Sequence, residues 1–169
     1  MDFITGLPKS QGKDNIFVVV ERLTKYAHFF VVLSTISASE VVSLFFKDIL
    51  ILHALPKIII NDRDSKFTGT FWKTLFGLVE KNLNMSTSYH PQIDGKTDGV
   101  NQWLEGYLRN YVTGQQGAWE TCLHLGEFCY NTTFHLSVRM TPFMALYRYE
   151  APTFIDVIFG DCKAEKDKD

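Results

Sequence analysis

Cysteine is scarce in this chain. The 169 residues include three cysteines, Cys122, Cys129 and Cys162, and no Cys-x-x-Cys pair. An odd number without that spacing argues against a disulfide framework and a zinc knuckle. Basic charge is not in excess either, because 17 Lys and Arg face 19 Asp and Glu, for a net charge of −2. The chain lacks the strongly basic composition that dominates binding to duplex DNA, so any binding to DNA by this domain alone is expected to be weak.

Long apolar runs are also missing. No stretch is long enough to cross a bilayer, and the start carries Asp2 and no basic, apolar leader. The chain is therefore expected to be soluble and intracellular, with no membrane partner and no small-molecule cofactor. What it does have is a composition of 46% apolar and 14% aromatic residues, enough for one α/β domain with a proper core. Residues 154–169 alternate lysines with acids and are expected to form a disordered tail, which leaves 1–153 as the domain.

Hydrophobic patterning predicts a defined order of strands and helices. A three-strand antiparallel meander comes first, because its connections are short. A capping box at Ser37 and Glu40 then begins a helix that Pro56 forbids from continuing. The predicted strands are 2–6, 15–21, 26–32, 57–61 and 84–89, the helices are 38–53, 70–81, 98–111, 119–130 and one beginning at Thr141-Pro142, and 90–96 is a loop. Asn131, just after the fourth helix, is expected to be a cap or turn former.

Three aspartates stand where this order could bring them together. Asp2 lies in an otherwise apolar strand, where a charge without a partner is costly. Asp62 follows the strand 57–61, at the edge where open α/β sheets place their ligands. Asp98 opens the third helix, and 35 residues lie between it and Asp62. Carboxylates gathered in this way hold divalent cations over a phosphodiester, so the pattern favours nuclease or DNA strand-transfer chemistry.

The element order is that of the ribonuclease H-like fold, an α/β fold with a five-stranded mixed sheet flanked by helices. In this sheet three strands form an antiparallel meander and two more strands are parallel to the first. The first and fourth strands would be neighbours, so Asp2 and Asp62 would meet while Asp98 approaches from a helix.

Several phrases carry a more specific resemblance. From residue 1 to about 153 the chain resembles the integrase catalytic core of gypsy-class long-terminal-repeat retrotransposons, especially the plant chromodomain-bearing type. The phrases are Met-Asp-Phe-Ile-Thr-Gly-Leu-Pro-Lys-Ser (1–10), Phe-Val-Val-Val-Glu-Arg-Leu-Thr-Lys-Tyr-Ala-His-Phe (17–29), Asn-Asp-Arg-Asp-Ser-Lys-Phe-Thr (61–68), Tyr-His-Pro-Gln-Ile-Asp-Gly-Lys-Thr-Asp (89–98), Tyr-Asn-Thr-Thr-Phe-His (130–135) and Met-Thr-Pro-Phe-Met-Ala-Leu-Tyr (140–147).

The resemblance implies an enzyme that trims the element's DNA ends and joins them to target DNA. Asp2, Asp62 and Asp98 would be the catalytic triad and would bind two Mg²⁺ or Mn²⁺ ions. It also implies a homo-oligomer that acts in the nucleus. Residues expected to contact DNA are Arg63, Lys66, His90, Gln92, Lys96 and Asn101. The family has a zinc-binding domain before the core and a DNA- or chromatin-binding domain after it, and both are expected to be missing here, with the first strand cut short.

Departures from the family keep a second function open. Asp98 stands where the family has Glu, Gly99 follows it, and Ala54 replaces a Gly. The chain is therefore either an active polynucleotidyl transferase impaired by its Asp98 or a decayed core that binds nucleic acid or dimerises without catalysis. Plain ribonuclease H activity is a third reading, which shares the fold but not the phrases.

Overall fold

The computed structural model describes residues 1–54, 56, 58–61, 66–83, 92–93, 98–111 and 117–153, with only the backbone of 79–83, 92, 93, 98 and 111. The strands are β1 (Asp2–Ile4), β2 (Asn15–Val20), β3 (Ala27–Val32), β4 (Ile60–Asn61) and β5 (Gln92–Ile93). The helices are α1 (Ala38–Leu44), a π-helical segment (Phe45–Leu50), α2 (Ile51–His53), α3 (Gly69–Leu83), α4 (Asp98–Tyr111), α5 (Trp119–Thr132) and α6 (Pro142–Tyr147).

The predicted meander is present as a three-stranded antiparallel sheet in the order β1-β2-β3. Asp2 lies opposite Val18, and Val18 lies opposite Phe29 on the next strand. β4 and β5 form a separate parallel pair with Asn61 opposite Ile93. Gln92 and Ile93 are thus in a strand, and the prediction of a loop over 90–96 is wrong at these two residues. The strand predicted over 84–89 lies outside the described residues.

Successive side chains of each strand point to opposite faces of the meander, so both faces carry apolar side chains and both are covered by helices. Phe3 and Phe17 pack in one apolar cluster with α1, the π-helical segment and α3. Ile4 and Ile16 pack in a second cluster with α4 and α5. The result is a three-layered α/β/α arrangement in which β1 lies between two cores, so any polar residue on β1 is enclosed.

Local chemistry sets the ends of the helices. The Ser37 hydroxyl accepts from the Glu40 backbone N–H while the Glu40 carboxylate accepts from the Ser37 N–H, which confirms the capping box. Thr141 caps α6 with Pro142 in its first turn, as predicted. The continuous helical stretch from α1 to α2 has its C-cap at Ala54, which has φ of 60° and ψ of −172°. This positive-φ, extended conformation is essentially restricted to glycine and costs a residue with a Cβ about 1–3 kcal/mol, so the departure from Gly at Ala54 has a physical cost.

Helix α5 protects the exposed edge of β3. The Asn131 Oδ1 atom accepts from the Ala27 N–H at 2.9 Å, and its Nδ2 donates to the Ala27 carbonyl at 2.8 Å. One turn earlier, Glu127 Oε2 accepts from the Phe29 N–H at 2.8 Å. Four helical residues rise about 6 Å and two strand residues about 6.6 Å, so the two side chains match alternate residues of the strand. Asn131 therefore takes the place of a neighbouring strand and is not the cap or turn former expected.

Asn131→Ala is expected to lower the free energy of unfolding by about 2–4 kcal/mol, because the N–H and C=O of Ala27 would be left buried without their partner. Asn131 is 2% exposed, which limits rescue by water. Urea unfolding measures the change. Thr132→Ala, which removes a hydroxyl bonded only to its own helix backbone at Phe128, is the control and is expected to cost less than about 1 kcal/mol. Equal losses in the two variants would contradict the edge-pairing role.

Candidate functional site

Asp2 is a buried carboxylate on a strand of apolar residues. Its exposed fraction is 8%, and it is enclosed between β2 and helix α4. Its Oδ1 accepts from the Phe3 N–H at 2.7 Å, and its Oδ2 accepts a short hydrogen bond from Asn101 Nδ2. Burying a charge is costly, and these donors offset only part of that cost. A carboxylate kept in such a position is a candidate for function and not a feature that stabilises the fold.

A hydrogen bond joins β1 to the strand that leads to Asp62. The Met1 nitrogen donates to the carbonyl of Ile60 at 2.7 Å. In a parallel ladder the N–H of one residue donates to the carbonyl of the residue before its partner. This bond therefore has the offset that puts Met1 opposite Asn61, which is 7% exposed and directly precedes Asp62 in the sequence. Asp62 itself lies outside the described residues.

Helix α4 brings the third acidic position toward the same place. Asp98 is its first residue, and Asn101 follows three positions later. Residues three apart in a helix share a face, so the backbone of Asp98 lies one turn from the residue that bonds Asp2. The Asp98 side chain is not described. No atom of the described residues lies within 4 Å of the position that a Cβ would take at Gly99, so these residues do not require a glycine there.

The predicted DNA contacts fall in different parts of the structure. Lys66 lies in the turn before α3, with its Nζ 4.8 Å from the centroid of the Phe3 ring, next to Asp2 in the chain. Asn101 contacts Asp2, and Gln92 belongs to β5, where only its backbone is described. Arg63, His90 and Lys96 lie outside the described residues. Contact of these residues with DNA stays a prediction.

The chemistry of the acidic residues fits a hard divalent cation. The candidate ligands are carboxylates, which supply the oxygen atoms that Mg²⁺ and Mn²⁺ prefer. Within the part of the chain that the structure describes, no three His, Cys, Asp or Glu side chains converge to hold a metal. Of the three aspartates, however, Asp2 alone belongs to that part with its side chain. Asp2 is buried, and the packing of its strand does not need a carboxylate at this position. Both features fit the role of a metal ligand.

A histidine pair that no sequence motif predicted joins β3 to the end of α2. His28 Nε2 on β3 lies 2.8 Å from His53 Nε2 at the end of α2, and Glu127 Oε1 lies 3.2 Å from His28 Nδ1. The three residues are far apart in the chain and match no local motif. The sequence signal is only that His28 lies in a predicted strand and His53 ends a predicted helix, which is too weak to pair them.

Comparisons with known proteins place these features in context. No family model matches the chain. The Transposon Tf2-3 and Tf2-4 polyproteins of Schizosaccharomyces pombe (strain 972 / ATCC 24843) are each 34% identical to it over 163 residues, 92% of this chain. The chain spans only 12% of the length of these curated relatives.

Solved structures resemble the fold at low sequence identity. The simian T-cell lymphotropic virus intasome, in complex with PP2A regulatory subunit B56 gamma, contains a chain with a TM-score of 0.64 and 13% identity, matched over 90% of this chain and 55% of its own. The trimeric HTLV-2 integrase catalytic core domain in complex with magnesium has a TM-score of 0.61 and 13% identity, over 86% of this chain and 93% of its own.

These likenesses agree with the α/β architecture and with the sequence resemblance. Among the described residues, no helix is long and apolar enough to cross a membrane. The chain is homologous to a segment of the Tf2 retrotransposon polyproteins, and it has the ribonuclease H-like fold of retroviral integrase catalytic cores.

Proposed function

We propose that this chain is the catalytic core of a retrotransposon integrase, which processes the 3′ ends of the element's DNA and joins them to target DNA. The observation that carries the proposal is the buried Asp2 carboxylate, bonded by Asn101 of α4 on a strand that is itself bonded to the strand before Asp62. Homology to the Tf2 polyproteins supports an integrase-type function. The gypsy class and the plant chromodomain type rest on the sequence phrases.

Asp2, Asp62 and Asp98 are the proposed catalytic residues. The Met1–Ile60 hydrogen bond has the offset of a parallel pair, and continuing that register by one residue would set position 62 opposite Asp2. Neighbouring residues in a parallel pair point to the same side, so both carboxylates would face α4. The β4–β5 pair would then extend the meander into one five-stranded mixed sheet. Asp98 would complete the site from the first turn of α4.

Mg²⁺ or Mn²⁺, as two ions, is the proposed cofactor. When bound by carboxylates, such ions stabilise charge on the phosphodiester and lower the pKa of a bound water or hydroxyl. The chain's own residues would position the metal ligands. Asn101 orients Asp2, and the sheet and α4 hold the carboxylates on rigid elements. The HTLV-2 integrase core was solved in complex with magnesium, which supports the choice of ion.

DNA at the element ends and at the target is the proposed partner. Arg63, Lys66, His90, Gln92, Lys96 and Asn101 are the proposed DNA contacts, through phosphates more than base edges. The HTLV-2 core exists in dimeric and trimeric forms, which supports a homo-oligomer here. A nuclear location and a core of residues 1–153 complete the proposal; residues 154–169, predicted from the sequence as a tail, lie outside the described residues.

A catalytically decayed core is the second candidate, and the residue at position 98 favours it. Asp is one methylene shorter than the Glu that the resemblance implies there. Such a chain would bind nucleic acid or dimerise without strand transfer. The two candidates share the fold and differ in chemistry alone.

An assay of the purified chain tests the proposal. A labelled element-end duplex with Mn²⁺ is expected to show end nicking, and a branched duplex is expected to show disintegration, both lost on adding EDTA. Activity that persists in EDTA would contradict the metal role. Absence of activity in both the parent and the Asp98→Glu variant, with far-UV and near-UV circular dichroism of a folded protein, would reject the enzyme and leave the binding module.

A further inference from the structure

Two histidine rings approach each other with their Nε2 atoms. His28 Nε2 lies 2.8 Å from His53 Nε2, with ring centroids 5.0 Å apart and an interplanar angle of 63°. His28 is on the edge strand β3 and His53 is the last residue of α2, so the pair joins two elements that are 25 residues apart in the chain. Neither residue takes part in the proposed integrase chemistry.

The hydrogen bonds around the pair determine which nitrogen carries a proton. Glu127 Oε1 lies 3.2 Å from His28 Nδ1, and Glu127 Oε2 accepts from the Phe29 N–H, so the carboxylate is held in place. A carboxylate at Nδ1 keeps the proton there and leaves the Nε2 lone pair of His28 to accept from His53 Nε2–H. This is the outer-sphere arrangement, carboxylate to histidine to metal, that orients imidazole ligands in metalloproteins. A metal ion that binds both Nε2 atoms therefore displaces the proton of His53 Nε2 to His53 Nδ1 or to solvent.

The surroundings of His53 disfavour a charge on its ring. Burial, and then the neighbouring His28, hold the pKa of His53 below its usual value, although the Glu21 carboxylate opposes the shift. The other ionisable groups against the pair do not compete as ligands. Burial raises the pKa of the Tyr26 phenol, which therefore stays protonated. The Glu21 carboxylate accepts three hydrogen bonds from Leu23 and Thr24.

The pair is open to solvent on one side. His28 and His53 line a cavity of about 630 Å³ together with Glu21, and the cavity extends along apolar side chains to Met1 and Ile60. A metal ion held by two protein nitrogens needs further ligands, and the cavity has room for water molecules or for a small anion. The distance between the two Nε2 atoms is close to the one that a shared metal ion requires. With bonds of about 2.0–2.1 Å, two nitrogens on a tetrahedral ion lie about 3.3 Å apart, so the pair has to open by about 0.5 Å.

We propose that His28 and His53 form a binding site for a late divalent transition metal of the Zn²⁺ class, ligated by the two Nε2 atoms and supported by Glu127. Imidazole nitrogen selects Zn²⁺, Cu²⁺ and Ni²⁺ over Mg²⁺, which prefers oxygen. The site is therefore distinct in chemistry from the carboxylates of Asp2, Asp62 and Asp98, and it does not rest on the proposed function. Because His53 ends the helix that leads to β4, the ion would fasten that connection to β3.

Titration with Zn²⁺ alone is the first test. Isothermal calorimetry is expected to show one ion per chain, and Tm is expected to rise by about 5–10 °C at a Zn²⁺ concentration about 100 times Kd. His28→Gln and His53→Gln are each expected to weaken binding by more than about 10-fold, and Glu127→Gln by about 10-fold. His124→Gln, at an exposed position on α5, is the matched control and is expected to bind as the parent does. Asp2→Asn is likewise expected to leave Zn²⁺ binding unchanged.

A second measurement does not depend on variants that fold. Zn²⁺ is expected to protect His28 and His53, but not His124, from diethylpyrocarbonate, as read by mass spectrometry. Cu²⁺ in the parent is expected to give an electron paramagnetic resonance spectrum with coupling to two imidazole nitrogens. The proposal is overturned if folded parent protein does not bind Zn²⁺, if both histidine variants bind it as the parent does, or if protection falls on other histidines.

Discussion

The Asp2→Asn variant is expected to lose metal-dependent DNA nicking and strand transfer by more than about 100-fold while keeping its fold. Loss of a group that only orients a metal ligand costs about 10–100-fold in activity, and loss of the ligand itself costs more. Asn is isosteric with Asp and can still accept one of the two hydrogen bonds, from Phe3 or Asn101. The substitution removes the negative charge of the side chain and keeps its size and shape.

Stability separates a catalytic role of Asp2 from a structural one. Removing the buried charge offsets part of the cost of the hydrogen bond that Asn cannot accept, so the free energy of unfolding is expected to change by less than about 1–3 kcal/mol. Urea unfolding is therefore expected to show a small change while the nicking assay shows a large loss. Asp14→Asn, at another aspartate of the meander region whose carboxylate accepts from the Ser34 N–H, is the control and is expected to retain activity. An Asp2→Asn protein that is as active as the parent would remove Asp2 from the site.

The Asp98→Glu variant is expected to increase activity by on the order of 100-fold. Asp is shorter than Glu by one methylene, roughly 1.5 Å of reach, and a misplacement of about 1 Å at a catalytic group costs on the order of 100-fold in rate. The added methylene extends a side chain in the first turn of α4, where a carboxylate also suits the helix dipole. Initial rates of nicking in Mn²⁺ and in Mg²⁺ measure the effect.

The controls for position 98 lie on the same helix. Glu105→Asp shortens a carboxylate that pairs with Arg109 at 3.8 Å, away from the site, and is expected to leave activity unchanged. Asp98→Asn is expected to abolish whatever activity the parent has. If Asp98→Glu matches an active parent while Asp98→Asn is inactive, the shorter side chain already reaches its ligand position. If neither substitution changes an active parent, position 98 carries no ligand.

Short-range chemistry made several elements predictable. The capping box of Ser37 and Glu40, the Thr141 cap before Pro142 and the continuous apolar run of β2 each depend on residues that are close together in the chain. A helix opened by Thr97-Asp98 with an apolar side reaching Tyr111 was predicted, and the structure has α4 at Asp98–Tyr111. These signals are local because the hydrogen bonds at a helix end and a run of β-branched and aromatic residues in a strand each involve neighbours in the sequence.

Elements that depend on distant partners were not predictable in the same way. β5 at Gln92–Ile93 is two residues long and exists because it pairs with β4, so its sequence looked like a loop. The π-helical turn at Phe45–Leu50 interrupts a pattern that a regular helix fits equally well. The role of Asn131 required the unpaired edge of Ala27, which is 104 residues away. In each case the deciding partner is remote in the chain.

The sequence by itself determined the homology to a segment of the Tf2 polyproteins and the α/β architecture, and it nominated the acidic residues, since composition, periodicity and the ordered phrases are written along the chain. The tertiary structure alone decided that Asn101 contacts Asp2, that Met1 bonds the strand before Asp62, and that His28 meets His53. The physical reason is that a hydrogen bond or a shared ligand requires atoms within about 3 Å of one another. Proximity of that kind between residues far apart in the chain comes from packing of helices on a sheet, and no local pattern encodes it.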